Sequence, residues 1–194
     1  MDPDAESVIP PFIDDGLLPE GDFEVTIEQL RASALVLGPG PPRECPGWDA
    51  SWRDRLVENL QTLVQQLWQV GVTQIFADGS FAEDKDHPND IDGYFECDLH
   101  RLASGELQRE LNLLDPHKIW TWDPASRRPY RGYPKKQLPM WHQYRIELYP
   151  HVRGGLSGIP DQWGHELEFP AAFRQSRRDG QPRGIIKIKQ GDLP

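Results

Sequence analysis

The segment GSFAEDKDHPNDID, from Gly79 to Asp92, decides how the fold of this chain is interpreted. It begins with a Gly-Ser pair and ends with two aspartates, Asp90 and Asp92, separated by one residue. The run before it, Val72–Ala77, and the segment Ile91–Cys97 both have the composition of short strands. Residues i and i+2 of a strand lie on the same face, so the two carboxylates should project together while the isoleucine between them faces the core.

Two neighbouring carboxylates repel each other unless a cation lies between them. Oxygen-only ligands favour Mg²⁺ or Mn²⁺, and protein-bound Mg²⁺ is usually completed by substrate phosphates. The pair Gly79-Ser80 suits those phosphates, because glycine lets the backbone approach an anion and the serine hydroxyl can donate to it. The segment therefore indicates a metal and phosphate site formed by Gly79, Ser80, Asp90 and Asp92.

The two aspartates allow other interpretations. A lone Asp-x-Asp is often a solvated turn. An EF-hand loop with Gly93 at its glycine position would begin at Pro88, which cannot ligate, and would end at Leu99 instead of glutamate, so that interpretation fails. Sugar-nucleotide transferases also use Asp-x-Asp, but there the motif ends an apolar strand, whereas here the polar turn DHPN precedes it.

Length and composition limit the class of protein. The 194 residues suit one domain with a hydrophobic core. No apolar run has membrane-spanning length and the start MDPDAESVIPPF is acidic, unlike a signal peptide, so we expect a cytoplasmic protein without a membrane partner. Cys45 and Cys97 are too few for a disulfide framework and are expected to be free thiols. The histidines lack zinc-ligand spacing with either cysteine, so we expect no zinc site.

Charge is distributed unevenly along the chain. Residues 1–100 contain 5 Lys and Arg against 21 Asp and Glu, a net charge of −16, whereas residues 101–194 contain 16 against 10, a net charge of +6. Two differently solvated surfaces would explain this split. A single site with carboxylates on one wall and cations on the other would explain it equally well, and would suit a metal bound to a triphosphate.

The chain divides by composition into an arm and a domain. Residues 1–48 are rich in Pro, Gly and acids and are expected to pack on the domain as an N-terminal arm. The arm should contain a short helix, reaching about Ala34, that begins with a capping box of Thr26 and Gln29. Residues 49–194 are expected to form the main domain, and the whole chain to fold as one unit.

Periodicity predicts the remaining elements. A long helix should begin at Ser51 as its N-cap and end at Gly71, because apolar residues recur at steps of three and four. A second helix is predicted for Gly105–Leu114, and strands for Lys118–Trp122, Gln143–Val152 and Arg183–Lys189. This mixture predicts an α+β fold, a small mixed β-sheet with helices packed against it.

A strand, a Gly-Ser pair, a polar stretch and an Asp-x-Asp motif opening another strand resemble the signature of the polymerase-beta-type nucleotidyltransferase superfamily. The resemblance extends from Leu56 to Val152. It implies a nucleotidyltransferase-like fold in which Gly79 and Ser80 open an α-helix that holds the triphosphate, while Asp90 and Asp92 bind the metal and act in catalysis.

In that family a third acid lies on a later strand, and the matching segment here is YRIELYP. Glu147 is the only acid between Asp123 and Asp161, so the resemblance makes it the third metal-binding and catalytic carboxylate. The chain differs from the family at Asp78, where an apolar or aromatic residue is more usual, and in having Glu rather than Asp as the third acid. The residues after Val152 are too few for the helical substrate domain of larger members.

The chain is therefore similar to small bacterial members of the superfamily, some of which act in toxin–antitoxin pairs. The resemblance implies Mg²⁺-dependent transfer of a nucleoside monophosphate from an NTP such as ATP to a hydroxyl of a protein or a nucleic acid such as tRNA, in a toxin–antitoxin or defence setting with a partner protein. The alternative is a catalytically silent module of the same fold that binds a partner, like an antitoxin.

Two basic segments and four tryptophans are further candidates for binding a phosphate, a nucleic acid or a base. The segment Arg127–Lys136, RRPYRGYPKK, could follow a phosphate backbone with aromatic stacking, or could be a solvated loop. A second cationic segment, Arg174–Lys189, could bind triphosphate, nucleic acid or the acidic half of the same chain, and the last is favoured. Four tryptophans could wall a base pocket, although core packing is the favoured interpretation: Trp120, Trp122, Trp141 and Trp163.

Overall fold

The structure is a computed structural model that describes residues 8–191. The acidic start of the chain up to Ser7, which is expected not to be a signal peptide, lies outside the described residues. Across residues 8–191, none of the helices combines the length and the apolar character that a membrane crossing requires.

The strands form one mixed sheet and one small hairpin. They are β1 (Asp22–Val25), β2 (Ile75–Asp78), β3 (Ile91–Glu96), β4 (Ile146–His151), β5 (Leu156–Pro160), β6 (Glu166–Glu168) and β7 (Ile185–Ile188). The main sheet has the order β1-β7-β2-β3-β4, and β5 pairs with β6 in a separate two-stranded sheet. The pairs β1–β7 and β3–β4 are parallel, whereas β7–β2 and β2–β3 are antiparallel. The predicted α+β fold with a small mixed sheet is confirmed.

The helices are mostly short. They are α1 (Ile27–Arg31), α2 (Ala34–Leu37), α3 (Ala50–Gln69), α4 (Leu99–Ala103), α5 (Glu106–Leu114), α6 (Pro139–Tyr144) and α7 (Phe169–Phe173). The Thr26–Gln29 capping box is present, but the predicted single helix is divided because α1 ends at Arg31 and Ser33 caps a separate helix. Strand β1, within the segment expected to be an arm, forms an edge of the main sheet.

Three predicted details are wrong. Asp49, not Ser51, caps α3, because its carboxylate accepts the Trp52 amide at 3.0 Å and also the Ser51 hydroxyl. The predicted strand Lys118–Trp122 has no strand pairing. The predicted strand Gln143–Val152 begins only at Ile146, since the residues before it complete α6.

The two faces of the main sheet differ in composition. One face, here called the helix face, shares a hydrophobic core with α3 that includes Ile75, Ile91, Phe95, Ile146 and Leu148. The opposite face, here called the site face, carries the alternate residues of the same strands, and its small buried cluster consists of Phe76, Tyr94, Phe173 and Ile185. Alternation along β2, β3 and β4 thus separates an aliphatic face from a face that bears polar groups.

Candidate functional site

Three acids lie side by side on the site face. Asp78 at the end of β2 pairs in register with Asp92 on β3, and Asp92 pairs in register with Glu147 on β4. Directly opposed residues of adjacent strands bring their side chains close together, and like charges there are destabilising. These three acids, here called the carboxylate row, therefore need neutralising partners.

The first acid of the row is neutralised by an arginine. Arg183, just before β7, forms ion pairs with Asp78 and with Glu83, the latter at 2.5 Å, and donates to the Gly79 carbonyl at 3.2 Å. Asp78 and Arg183 are both buried. Burial raises the pKa of Asp78 to about 7, and the adjacent guanidinium opposes that rise. Arg183 thus neutralises Asp78 at the β2 end of the carboxylate row.

The third acid is also held by partners. One oxygen of Glu147 accepts the Leu138 amide at 2.8 Å and the Arg127 guanidinium at 3.3 Å. Its other oxygen accepts the Tyr149 hydroxyl. Glu147 is buried, and both of its oxygens are hydrogen-bonded, as expected for a buried polar group. Three of its roughly four acceptor positions are thus occupied, so Glu147 can reach a metal or a substrate proton through the remaining position on its second oxygen, or after one of these hydrogen bonds opens.

The central acid, Asp92, has no such partner. Within residues 8–191, no hydrogen bond or ion pair engages its side-chain carboxylate, although Arg177 is close enough to lower its pKa. Burial, followed by the nearby Asp90 carboxylate, raises the pKa of Asp92 to about 7. A carboxylate in this environment gains most from a cation, because a cation supplies the missing charge and the missing ligand together.

Asp90 lies beside Asp92, as predicted from the spacing. Its carboxylate accepts the Trp141 indole N–H at 2.6 Å. Burial raises the pKa of Asp90, the Trp141 hydrogen bond opposes that rise and Glu147 adds to it. Ile91, between the two aspartates, is fully buried in the core, which confirms that Asp90 and Asp92 project away from it.

The Gly-Ser pair lies next to the carboxylate row but opens only a single turn. Residues Gly79–Ala82 form one 3₁₀ turn instead of the α-helix that the resemblance implied. Gly79 has a φ of +80°, and a Cβ there would lie 3.0 Å from the Asp92 carboxylate, so glycine is required on both counts. Ser80 lines a cavity with Asp92 but has no helix of useful length behind it.

Two cavities meet at Asp92. The larger, about 800 Å³, contains Asp90, Asp92 and Glu147 together with cations of the Arg127–Lys136 segment. The smaller, about 220 Å³, contains Gly79, Ser80 and the three arginines Arg177, Arg178 and Arg183. Asp92, Phe173 and Arg177 line both cavities, so the two form one continuous cleft with acids in the middle and cations at each end.

The second cationic segment is divided between two tasks. Arg174 pairs with Asp22 at 2.6 Å and Lys187 with Glu24 at 2.9 Å, as does Arg183 with Asp78 and Glu83. The favoured expectation, pairing with the acidic half of the chain, is confirmed for these residues. Arg177 is exposed and, in the part of the chain that the structure describes, forms no ion pair. It is therefore available to a bound anion.

The donor set fits a divalent metal with oxygen ligands. Among residues 8–191, no three His, Cys, Asp or Glu side chains are already arranged to hold a metal ion. Mg²⁺ does not need such a cage, since it is commonly bound by one or two carboxylates together with waters and substrate phosphates. Asp90 and the unpartnered Asp92 meet that requirement, and Glu147 could join after a rearrangement.

Sequence reasoning brought the right acids together but missed how they are paired. It identified the basic segments and the tryptophans as candidates, but not that individual members contact particular acids: Arg127 and Tyr149 contact Glu147, Trp141 contacts Asp90, and Arg183 contacts Asp78. Arg183 lies 105 residues from its partner Asp78, a separation that no local pattern reports. The alternation of the segment YRIELYP did place Tyr149 on the same face as Glu147 and could have suggested their contact. Trp163 is 74% exposed and lines neither cavity, so for this residue both the favoured core packing and the pocket wall are wrong.

Comparison with known proteins defines a family. The model of a family described as "Family of unknown function (DUF6932)" matches residues 10–189, so the chain belongs to this family. No curated protein and no solved structure matches the chain.

Proposed function

We propose that the protein is a Mg²⁺-dependent nucleotidyltransferase with a nucleotidyltransferase-like fold, transferring a nucleoside monophosphate from an NTP to a hydroxyl acceptor. The observation that carries this proposal is the carboxylate row, in which Asp78 and Glu147 have partners and the central Asp92 has none among the described residues. Asp90 adds a second carboxylate next to the unpartnered one. This pattern supports a cation site at the centre of the cleft.

The two cavities of the cleft also suit the two substrates. The smaller cavity, with Ser80, Arg177 and Arg178, suits the negative charge of a triphosphate. The larger cavity leaves room for the acceptor on the other side of Asp92. A nucleotide lying across the cleft would therefore have its α-phosphate near Asp90 and Asp92.

The proposed reaction is attack of the acceptor oxygen on the α-phosphorus. The new P–O bond forms as the bond between the α-phosphorus and the bridging oxygen breaks, pyrophosphate leaves, and the hydroxyl proton passes to a carboxylate of the cleft. Mg²⁺, when bound, would neutralise phosphate charge and favour the ionised hydroxyl. Asp90 and Asp92 would hold it, Ser80 and Arg177 would orient the leaving pyrophosphate, and buried Phe173 helps to exclude water.

Glu147 is the most constrained member of the proposed set, because three hydrogen bonds occupy its carboxylate. One acceptor position on its second oxygen is left for the hydroxyl proton or a metal, and more become available only if Tyr149 or Arg127 releases it. This feature favours the alternative function, a binding module of the same fold without turnover. A measurement of turnover separates the two.

The test is Mg²⁺-dependent pyrophosphate release and NTP affinity, measured with each NTP and with cell-extract fractions as acceptors. Wild type should release pyrophosphate, and Asp92→Asn should lower the rate by about a thousandfold, since lost metal binding removes several kcal/mol of transition-state stabilisation. Asp14→Asn, an exposed change of the same charge outside both cavities, is the control.

Two results would reject transfer. Wild type that binds NTP and Mg²⁺ but releases no pyrophosphate with any fraction supports the binding module. Equal rates for wild type and Asp92→Asn would exclude the metal assignment.

A further inference from the structure

The loop that borders the larger cavity is a closed, strongly basic hairpin. Arg128 and Gln137 exchange two backbone hydrogen bonds, of 2.8 and 2.9 Å, and so close the segment Arg128–Gln137, here called the basic hairpin. The hairpin contains four cationic side chains and no acid: Arg128, Arg131, Lys135 and Lys136. All four are exposed, and across residues 8–191 none of them forms an ion pair.

Aromatic side chains hold the hairpin against the site. Tyr130 and Tyr133 contact each other and both contact Trp141, with ring centroids 5.0 and 4.9 Å from the indole. Arg145 stacks on Tyr130 at 4.3 Å and on Trp141 at 3.9 Å. Trp141 in turn donates to Asp90. The hairpin is therefore built onto the carboxylate site.

The charges on the two sides of the cavity restrict what can approach. Lys135, Lys136 and Tyr133 line the same cavity as Asp92 and Glu147. The acids repel a polyanion, so its phosphates can lie only over the hairpin while an uncharged hydroxyl group reaches the acids. An acidic peptide would satisfy the cations, but it would leave the exposed face of Tyr130, which is 41% exposed, without a stacking partner.

We infer that the basic hairpin binds single-stranded nucleic acid and presents its terminal hydroxyl to the carboxylate row. The inference deepens the proposed function, because it selects the acceptor class for that site and rests on transfer for the role of the hydroxyl. Binding of the strand itself requires neither NTP nor metal. A duplex fits less well, since its paired bases cannot stack on the tyrosines.

The experiment measures fluorescence anisotropy of labelled RNA and DNA strands of about 12 nucleotides without self-complementarity, a length typical of single-strand sites. The protein is used in EDTA without NTP, over a range of salt concentrations. Wild type should bind a single strand more tightly than a duplex of the same sequence or an acidic peptide of similar charge. The ratio of RNA to DNA affinity identifies the sugar of the acceptor, and either preference supports the inference.

Variants assign the binding to the hairpin. Lys135→Gln/Lys136→Gln should weaken binding roughly tenfold at low salt and reduce the slope of log affinity against log salt by about 1.4, as expected for two lost phosphate contacts on a single strand. Arg128→Gln/Arg131→Gln should act similarly, so misfolding of one variant leaves the other as a test. Arg55→Gln/Lys118→Gln, exposed and outside both cavities, is the charge-matched control.

The outcomes separate this inference from the proposed function. Asp92→Asn should bind the strand at least as tightly as wild type while losing Mg²⁺–NTP binding. Strand binding without pyrophosphate release would keep the inference and reject transfer. The inference is overturned if no strand binds, if a duplex or the acidic peptide binds more tightly, or if the control pair loses as much affinity as the hairpin pairs.

Discussion

The helix face and the site face of the same five-stranded sheet differ in what their side chains contribute to stability. Beneath α3, alternate residues of β2, β3 and β4 are apolar and fully buried, as Ile75, Phe95 and Leu148 are. On the site face their neighbours are the carboxylate row, in which Asp78 and Glu147 are buried, Asp92 is half-buried, and the charges need specific partners. Burial stabilises the first face and strains the second, which is a common arrangement where a fold supports a functional site.

The largest expected effect is on the ion pair of the site face that is buried on both sides, Asp78 with Arg183. Arg183→Met removes the partner of buried Asp78 and should cost about 3–5 kcal/mol of unfolding free energy at pH 8, because Asp78 must then either remain buried as an unpaired charge or take up a proton against the pH. Urea unfolding measures the loss. Asp78→Asn/Arg183→Met should recover most of it, and a double variant as unstable as the single one would show that Arg183 acts through packing instead.

A smaller effect tests the difference between the faces directly. Leu63→Ala, at a fully buried position of α3, should cost about 2–5 kcal/mol of unfolding free energy through lost burial and the cavity left behind. Asp92→Asn should cost nothing in the metal-free protein and should raise the melting temperature, since it relieves repulsion by Asp90. Calorimetry in EDTA measures both. A substantial loss in Asp92→Asn would mean that the row is stabilising without metal.

The smallest expected effect is on how the unfolding free energy of the metal-free protein changes with pH. The folded-state pKa of Asp92 is raised to about 7 from its ordinary value of 3.8, so between those values the folded state binds more protons than the unfolded state. The stability contributed by this group is therefore present below about pH 4 and is lost as pH rises to about 7. Urea titrations at pH 5 and pH 8 in EDTA should show a weaker decline in Asp92→Asn than in wild type, and equal declines would contradict the assignment.

Much of the sheet could be predicted from alternation and length. Segments such as Ile91–Glu96 and Ile185–Ile188 alternate or run apolar between turn residues, so their local pattern agrees with their final state. The segment Lys118–Trp122 shows the limit of that reasoning. Its aromatic composition suggests a strand. In the structure Trp120 is instead packed in the hydrophobic core, where its indole N–H donates to Gln66 on α3. The segment has no sheet partner among the described residues.

The site could be predicted only in part for a related reason. Asp90, Asp92 and Glu147 were found because they lie at positions set by strand periodicity and by the family pattern. Whether each acid is paired depends on residues brought close by the fold. The contact of Trp141 with Asp90 spans 51 residues and that of Arg183 with Asp78 spans 105. Periodicity within a segment carries no information about such contacts.

The position of β7 has a consequence for how the chain is made. Strand β7 lies between β1 and β2, although it is the last of the described strands to be synthesised. On the ribosome, the earlier strands can pair as β2, β3 and β4, but the nascent chain must hold Asp22–Val25 without its partner until Ile185–Ile188 has left the exit tunnel. Arg183 arrives with β7, so the charge of Asp78 is paired only at that late step.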